Sequence, residues 1–258
     1  MKSTCPLVVA LACAVVSAPA FADVTLKQKT GGNGIGVAAA GESTQYVKGL
    51  RLRTDQSIDG KTTSTIIDAV GKRMITLNHE KKEADVYDMT KLGESLSKMP
   101  ISEIKTSVTP TGQTRQIAQS TCTVHDIKVE VPMQMGGGAM SIVMAGPYCL
   151  VKNGPGQAEY TAFYRAAAEN NFMFGDPRQA KAQPAQAKAM TEMYRKMSEL
   201  GVPFATEMNI TFAGDGPMAA MMSKMGNQSI TTEVTSVSTA SIADSLFEIP
   251  EGYKVNKR

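Results

Sequence analysis

The chain has 258 residues, with 27 basic and 24 acidic side chains, 42% hydrophobic residues and four cysteines. This length is normal for a single β-rich domain, which buries a sizeable core without help from metals or partners. The near-even charge argues against a nucleic-acid partner, which needs a concentrated basic patch, and no apolar run approaches the ~18 residues of a transmembrane segment.

Read from the N-terminus, the first feature is a leader. Lys2 gives a positive start, residues 7–16 form an apolar core, and Ala20-Phe21-Ala22 presents small residues where a signal peptidase reads them. The pattern predicts a signal peptide cleaved after Ala22 and a mature protein in an oxidising space outside the cytosol. Removing residues 1–22 takes away Lys2 alone among the charges, so 26 basic and 24 acidic residues remain, net +2. Ala10-Leu11-Ala12-Cys13 also has the small residues of a lipoprotein cleavage site. Ala10 stands where Leu is usual, however, and the apolar run before Cys13 is short, so cleavage after Ala22 is the expectation.

Residues 24–29 read as a strand leading into Gly34-Ile35-Gly36-Val37-Ala38-Ala39, a Gly-x-Gly-x-x-Ala pattern. A dinucleotide site needs a helix to start within that pattern, and Gly41-Glu42-Ser43 opposes one, so the segment reads as a glycine-rich loop. Residues 45–54 alternate β-formers and predict one strand; residues 61–67, packed with Thr and Ile, predict another. Residues 73–77 and 84–89 flank the polar Asn78-His79-Glu80-Lys81-Lys82, which reads as a hairpin tip with His79 in solvent. A short helix is expected over 91–98. Residues 103–108 and 113–117 flank Thr109-Pro110-Thr111-Gly112, a turn by its Pro and Gly. Thr123, His125, Ile127, Val129 and Val131 alternate with polar residues as a half-buried strand, and residues 141–145, 204–212 and 231–237 add three more. Consecutive strands joined by short turns predict an antiparallel sheet with one face on a core.

Helical periodicity is confined to the later part of the chain. Residues 157–171 carry Ala158, Tyr160, Phe163, Tyr164 and Ala167 at helical spacing. Over 185–200, Met190, Met193, Tyr194, Met197 and Leu200 fall on one stripe, with Gly201 and Pro203 as stop signals. Asp176-Pro177 reads as a helix start that Pro184 then interrupts.

Chemistry-bearing patterns are scarce. There is no Gly-x-Ser-x-Gly, His-Glu-x-x-His or Cys-x-x-Cys, and only two histidines. His125 shares a strand face with Ile127 and Val129, where a histidine is ordinarily hydrogen-bonded at a core margin. With Cys5 and Cys13 in the leader, Cys122 and Cys149 remain, an even pair that reads as one disulfide in an oxidising compartment. A metal reading of Cys122-Thr123-Val124-His125 with Cys149 competes with it but lacks a fourth ligand. The compositional anomaly is methionine, 17 residues against no Trp. Clusters stand at Met133, Met135, Met140 and Met144, at Met190, Met193 and Met197, and at Met218, Met221, Met222 and Met225. Thioethers fill irregular cores, line adaptable apolar surfaces, or hold Cu(I). The sequons Asn209-Ile210-Thr211 and Asn227-Gln228-Ser229 are matches expected by chance in a chain of this length.

The C-terminal stretch adds a resemblance. Thr231-Thr232-Glu233-Val234-Thr235-Ser236-Val237 followed by Phe247-Glu248-Ile249-Pro250-Glu251-Gly252-Tyr253-Lys254 resembles the ending of an uncharacterised family of exported bacterial proteins, a domain-of-unknown-function family. The turn at residues 109–112 with the strand to Cys122, and the hairpin over 73–89, are similar to segments of the same family. Gln119-Ser120-Thr121-Cys122 departs from its Gly-Tyr-x-Cys. The family is thought to be related to the periplasmic lipoprotein carriers. The resemblance therefore implies an α+β fold: a curved, mostly antiparallel sheet, an open LolA-like half-barrel, with two or three helices on its concave face. It implies no catalytic residue.

Together these readings predict one β-rich domain over 23–258 in the periplasm, without cofactor or nucleic acid and not an enzyme. Its expected function is to bind an apolar or lipid-like ligand. Phe163, Met190, Met193 and Met197, with Met133 and Met135, are the ligand-face candidates. The alternatives are a Cu(I)-binding protein using Met218, Met221, Met222 and Met225, and a structural or interaction protein with a solid core whose C-terminus is pinned by Phe247, Pro250 and Tyr253.

Overall fold

The leading structural feature is one open, curved sheet with a long succession of hairpins. The structure is a computed structural model and describes residues 23–33, 40–97, 104–135, 138–170, 184–214, 217–224 and 226–258. The leader, the Gly34–Ala39 motif and Asp176-Pro177 lie outside the described residues. In chain order the strands are β1 (Val24–Asn33), β2 (Ala40–Lys48), β3 (Arg51–Ile58), β4 (Lys61–Asp68), β5 (Arg73–Asn78) and β6 (Glu83–Asp88). After them come β7 (Lys105–Ile117), β8 (Ser120–Met135), β9 (Gly138–Val151), β10 (Val202–Gly214), β11 (Gln228–Ser238) and β12 (Lys254–Lys257). The helices are α1 (Met89–Ser97), α2 (Gln157–Glu169), α3 (Pro184–Leu200) and α4 (Pro217–Lys224), with a 3-10 turn at Asp244–Phe247. Among the described residues this makes a sheet-dominated α+β fold with four helices. No described helix is long and apolar enough to cross a membrane.

The strand order is β12-β6-β5-β4-β3-β2-β1-β11-β10-β9-β8-β7. Every neighbouring pair is antiparallel except β12 with β6. Two expected boundaries are corrected. Residues 45–54 do not form one strand: Gly49, at φ 56°, turns the chain between β2 and β3. A residue free of Cβ takes that left-handed conformation without cost, so the strand propensity on either side yields to it. Residues 109–112 make no hairpin. They are an irregularity inside β7, where the register with β8 slips between Pro110 and Thr114. The real hairpin turn comes at Ala118 and Gln119, at φ 44° and 64°. Pro110 cannot donate to a ladder but is tolerated on an edge strand, which β7 is.

Register identifies the two faces. Val47, Leu52, Ile67, Met74 and Tyr87 stand opposite one another in adjacent strands. They share a core with Tyr160, Phe163, Tyr164 and Ala167 of α2. On the other half of the same face, Ile127, Val129, Val131, Ile142 and Met144 pack against Ala189, Met193 and Met197 of α3. Thr161 Oγ1 donates to Ser198 O at 2.7 Å, tying α2 to α3. On the outer side of α3, Arg195 hydrogen-bonds Glu192 and holds its carboxyl below the usual glutamate range.

The opposite face has its own small core, where Ile242 and Phe247 cover Ile66, Ile75, Leu77 and Ala84. At the β7 end the sheet curls toward this second face. Arg115 of β7 reaches Glu233 of β11 at 2.9 Å, although four strand steps separate them. A flat sheet would put those strands ~19 Å apart at about 4.8 Å per step.

Gly156 starts α2 at φ 79°, and a Cβ there would lie 2.6 Å from Val24 Cγ1. Gly156→Ala therefore meets both backbone strain and a fully buried β1 side chain. We expect it to cost about 2 kcal/mol in a urea titration. An unchanged midpoint would mean that α2 is not seated on Val24.

Candidate functional site

Where α2 and α3 lie over the middle of the sheet, a cavity of about 160 Å³ remains. The roof is Tyr164 from α2 with Met190 and Tyr194 from α3. The floor and walls are Gln28 of β1, Gln45 of β2, Tyr148 of β9, Pro203, Thr206 and Met208 of β10, and Ile230 and Thr232 of β11. Alternation places the floor: Thr30, Thr232, Thr206 and Tyr148 follow one another across four strands, so Gln28, two residues from Thr30, points the same way. Ile230 keeps 37% of its surface in solvent and so borders the mouth.

The two layers differ chemically. In the roof, Tyr164 and Tyr194 stack with ring centres 5.2 Å apart and planes 10° from parallel. Tyr160 and Phe163 back Tyr164 at 5.7 and 5.2 Å. Such a packed aromatic group is rigid and presents a flat apolar wall. In the floor, Ser43 Oγ donates to Gln28 Oε1 at 3.1 Å, Tyr160 Oη donates to Gln45 Oε1, and the hydroxyls of Thr206 and Thr232 meet at 2.7 Å. Burial raises the pKa of Tyr148, Tyr160, Tyr164 and Tyr194 above the ordinary phenol value, so all four are neutral through physiological pH. Among the described residues no charged side chain lines the cavity.

The expected ligand face divides accordingly. Met190 lines the cavity. Met193 and Met197 are 1% exposed and Phe163 is fully buried; all three are core beneath or beside the roof. Met133 and Met135 take register positions opposite Met140 and Gly138, and their side chains lie outside the described residues. The stripe is readable from the sequence, and Tyr194 belongs to it. Gln28, Gln45, Thr206 and Thr232 escape sequence reading, because a polar side chain on a strand signals solvent unless its strand partners are known, and nothing local marks Tyr148 or Met208 as facing a space.

The cysteine and histidine sites resolve differently from their metal reading. Cys122 and Cys149 stand at disulfide distance, with Cα atoms 5.3 Å apart. His125 lies on the other face of β8, its Nδ1 3.1 Å from Thr123 O, so it cannot join the cysteines at one ion. Of the Cu(I) candidates, Met221 is 52% exposed on α4 and Met222 is half-buried. The side chain of Met218 and the whole of Met225 lie outside the described residues. Among the described residues no three His, Cys, Asp or Glu side chains converge as a metal site.

His79 corrects the expectation of a solvated hairpin tip. Its Nε2 is 2.7 Å from Ser64 Oγ and its Nδ1 2.6 Å from Tyr253 Oη. Ser64 Oγ also donates to Asp55 Oδ1 at 2.6 Å, and Arg53 Nη2 donates to Ser64 at 3.1 Å. The set contains Ser, His and Asp, but the carboxylate meets the serine instead of orienting the imidazole. Ser64 is 1% exposed, and Arg53 Nη1 donates to Leu246 O at 2.6 Å. The network fastens the C-terminal segment to the sheet.

No protein-family profile matches the chain, and no curated protein matches it. Among solved structures, an uncharacterized conserved protein from Thermus thermophilus is similar at 8% identity and a TM-score of 0.40, with 92% of this chain and 91% of that one covered. A structure of PNGF-II is similar at 13% identity and a TM-score of 0.36, covering 92% of this chain and 31% of that one.

Proposed function

We propose that the protein is a non-enzymatic, periplasmic binding module that takes an apolar or lipid-like group between its sheet and the α2–α3 roof. The half-barrel relation to the lipoprotein carriers forms part of this reading: sheet as floor, helices as roof, ligand between. The single observation that carries it is the cavity of about 160 Å³ beneath Tyr164, Met190 and Tyr194. A cavity of ~150 Å³ lined by apolar side chains holds a benzene ring, so this one takes a ring or the end of a chain. A longer tail would leave past Ile230. Unbranched thioethers at Met190 and Met208 can adapt to different shapes.

The test is mass spectrometry of organic extracts from protein purified without detergent, followed by reloading of the extracted protein. A reproducible apolar molecule that rebinds is the expected result. Protein that never carries or takes up such a molecule has a solid core, and the binding reading fails.

A further inference from the structure

The floor of the cavity points to the kind of molecule it would hold. Gln28 is 7% exposed and its Oε1 is occupied by the Ser43 hydroxyl; the Oε1 of Gln45 is occupied by the Tyr160 phenol. Both amide groups are thereby turned the same way, carbonyl end to the protein. Among the described residues neither Nε2 has a protein partner. Two N–H donor groups therefore stand at a cavity whose other described walls are aromatic, aliphatic and thioether side chains and the mutually hydrogen-bonded hydroxyls of Thr206 and Thr232. Gln28 is buried and Gln45 half-buried, and neither Nε2 is enclosed by protein, so each is open to the cavity and a ligand that supplies an acceptor gives it a partner there. Among the described residues the lining has no cation to balance a carboxylate, whose burial without a counter-charge is prohibitive.

We propose that the cavity selects neutral apolar molecules carrying a hydrogen-bond acceptor, such as an ester, ketone or amide carbonyl, and that Gln28 and Gln45 read that acceptor through their Nε2 groups. This rests on the binding reading above and narrows it. Free fatty acids in their ionised form are poor ligands on this account, and their neutral esters are good ones.

The experiment follows the methyl signals of 13C-methionine-labelled mature protein during titration with three ring-sized probes: acetophenone, ethylbenzene and benzoate. Met190 and Met208 are expected to shift while Met221 on α4 does not. Acetophenone should bind about tenfold more tightly than ethylbenzene, the gain from two net hydrogen bonds to one carbonyl, and benzoate more weakly than either. Gln45→Glu keeps the acceptor for Tyr160 but turns a second acceptor toward the ligand, so acetophenone should lose its advantage. Equal affinities for acetophenone and ethylbenzene overturn the acceptor selectivity and leave the binding reading standing. Benzoate binding more tightly than acetophenone overturns neutrality. If neither neutral probe moves Met190, both proposals fall. Should Gln45→Glu not fold, the three probes on the unmodified protein decide alone.

Discussion

Phe247→Ala is expected to destabilise the protein by about 3–5 kcal/mol, the range for emptying a fully buried phenylalanine site. The side chain is 0% exposed and packs with Ile66, Ile75, Leu77, Ala84 and Ile242 on the face away from α2 and α3. The Arg51 guanidinium lies 4.8 Å from the centre of its ring, an interaction that alanine also forfeits. Without this anchor, the segment after β11 depends on polar fastenings: Arg53 to Leu246 O, His79 to Tyr253 and the short parallel pairing of β12 with β6. Urea unfolding measures the loss. Limited proteolysis adds a readout specific to the mechanism, since released residues 240–258 should be cut before the sheet unfolds. A loss below about 1 kcal/mol, with no new cleavage there, would mean that the C-terminal segment is not an integral part of the second core.

That segment also shows what sequence reading reaches. Phe247 and Tyr253 read as pins from the sequence, yet the partners in this segment's fastenings are 174 residues away for Tyr253 and 193 away for the Leu246 carbonyl. Nothing local to His79 indicates that its ring turns inward; Asn78 to Lys82 has the composition of any exposed tip. The β8 strand, by contrast, is legible because one period-2 pattern over Thr123 to Val131 reports one buried face. The β2–β3 break is not, because continuous β-formers conceal a turn that rests on Gly49 alone. The sheet irregularity in β7 misleads for a related reason: Pro and Gly mark a departure from regular strand but not whether the chain reverses there.

For the cavity, the roof and floor differ in legibility. Three and four residue spacing over Met190 to Met197 is a property of one helix, so the roof can be outlined from local sequence. The floor depends on five strands meeting side by side, from positions as distant as Gln28 and Thr232. Periodicity also cannot separate a side chain lining a space from one filling it: Met190 and Met193 belong to the same stripe, and only the first borders the cavity. The polar character of the floor is therefore invisible in the sequence, although it decides which ligands the site could accept.

Removing the disulfide with the double substitution Cys122→Ala and Cys149→Ala is expected to cost about 3–4 kcal/mol on the chain-entropy account. The two positions are 27 residues apart, and the chain between them is the long β8–β9 hairpin, paired from Thr123 with Leu150 out to Met135 with Gly138. In the folded protein that ladder already holds the strands together, so the bond adds little order there. Its effect falls on the unfolded chain, whose freedom it restricts. Two consequences separate this from a packing role. The cysteines are 0% and 2% exposed, so a packing role would leave the alanine pair destabilised by cavity terms even against the reduced native protein. The entropy account instead predicts that reduced cysteine protein and the alanine variant share nearly one urea midpoint, both well below the oxidised protein. If reduction leaves the midpoint in place and only the alanines lower it, the contribution lies in packing, and the link from cysteine usage to an oxidising compartment loses its energetic basis.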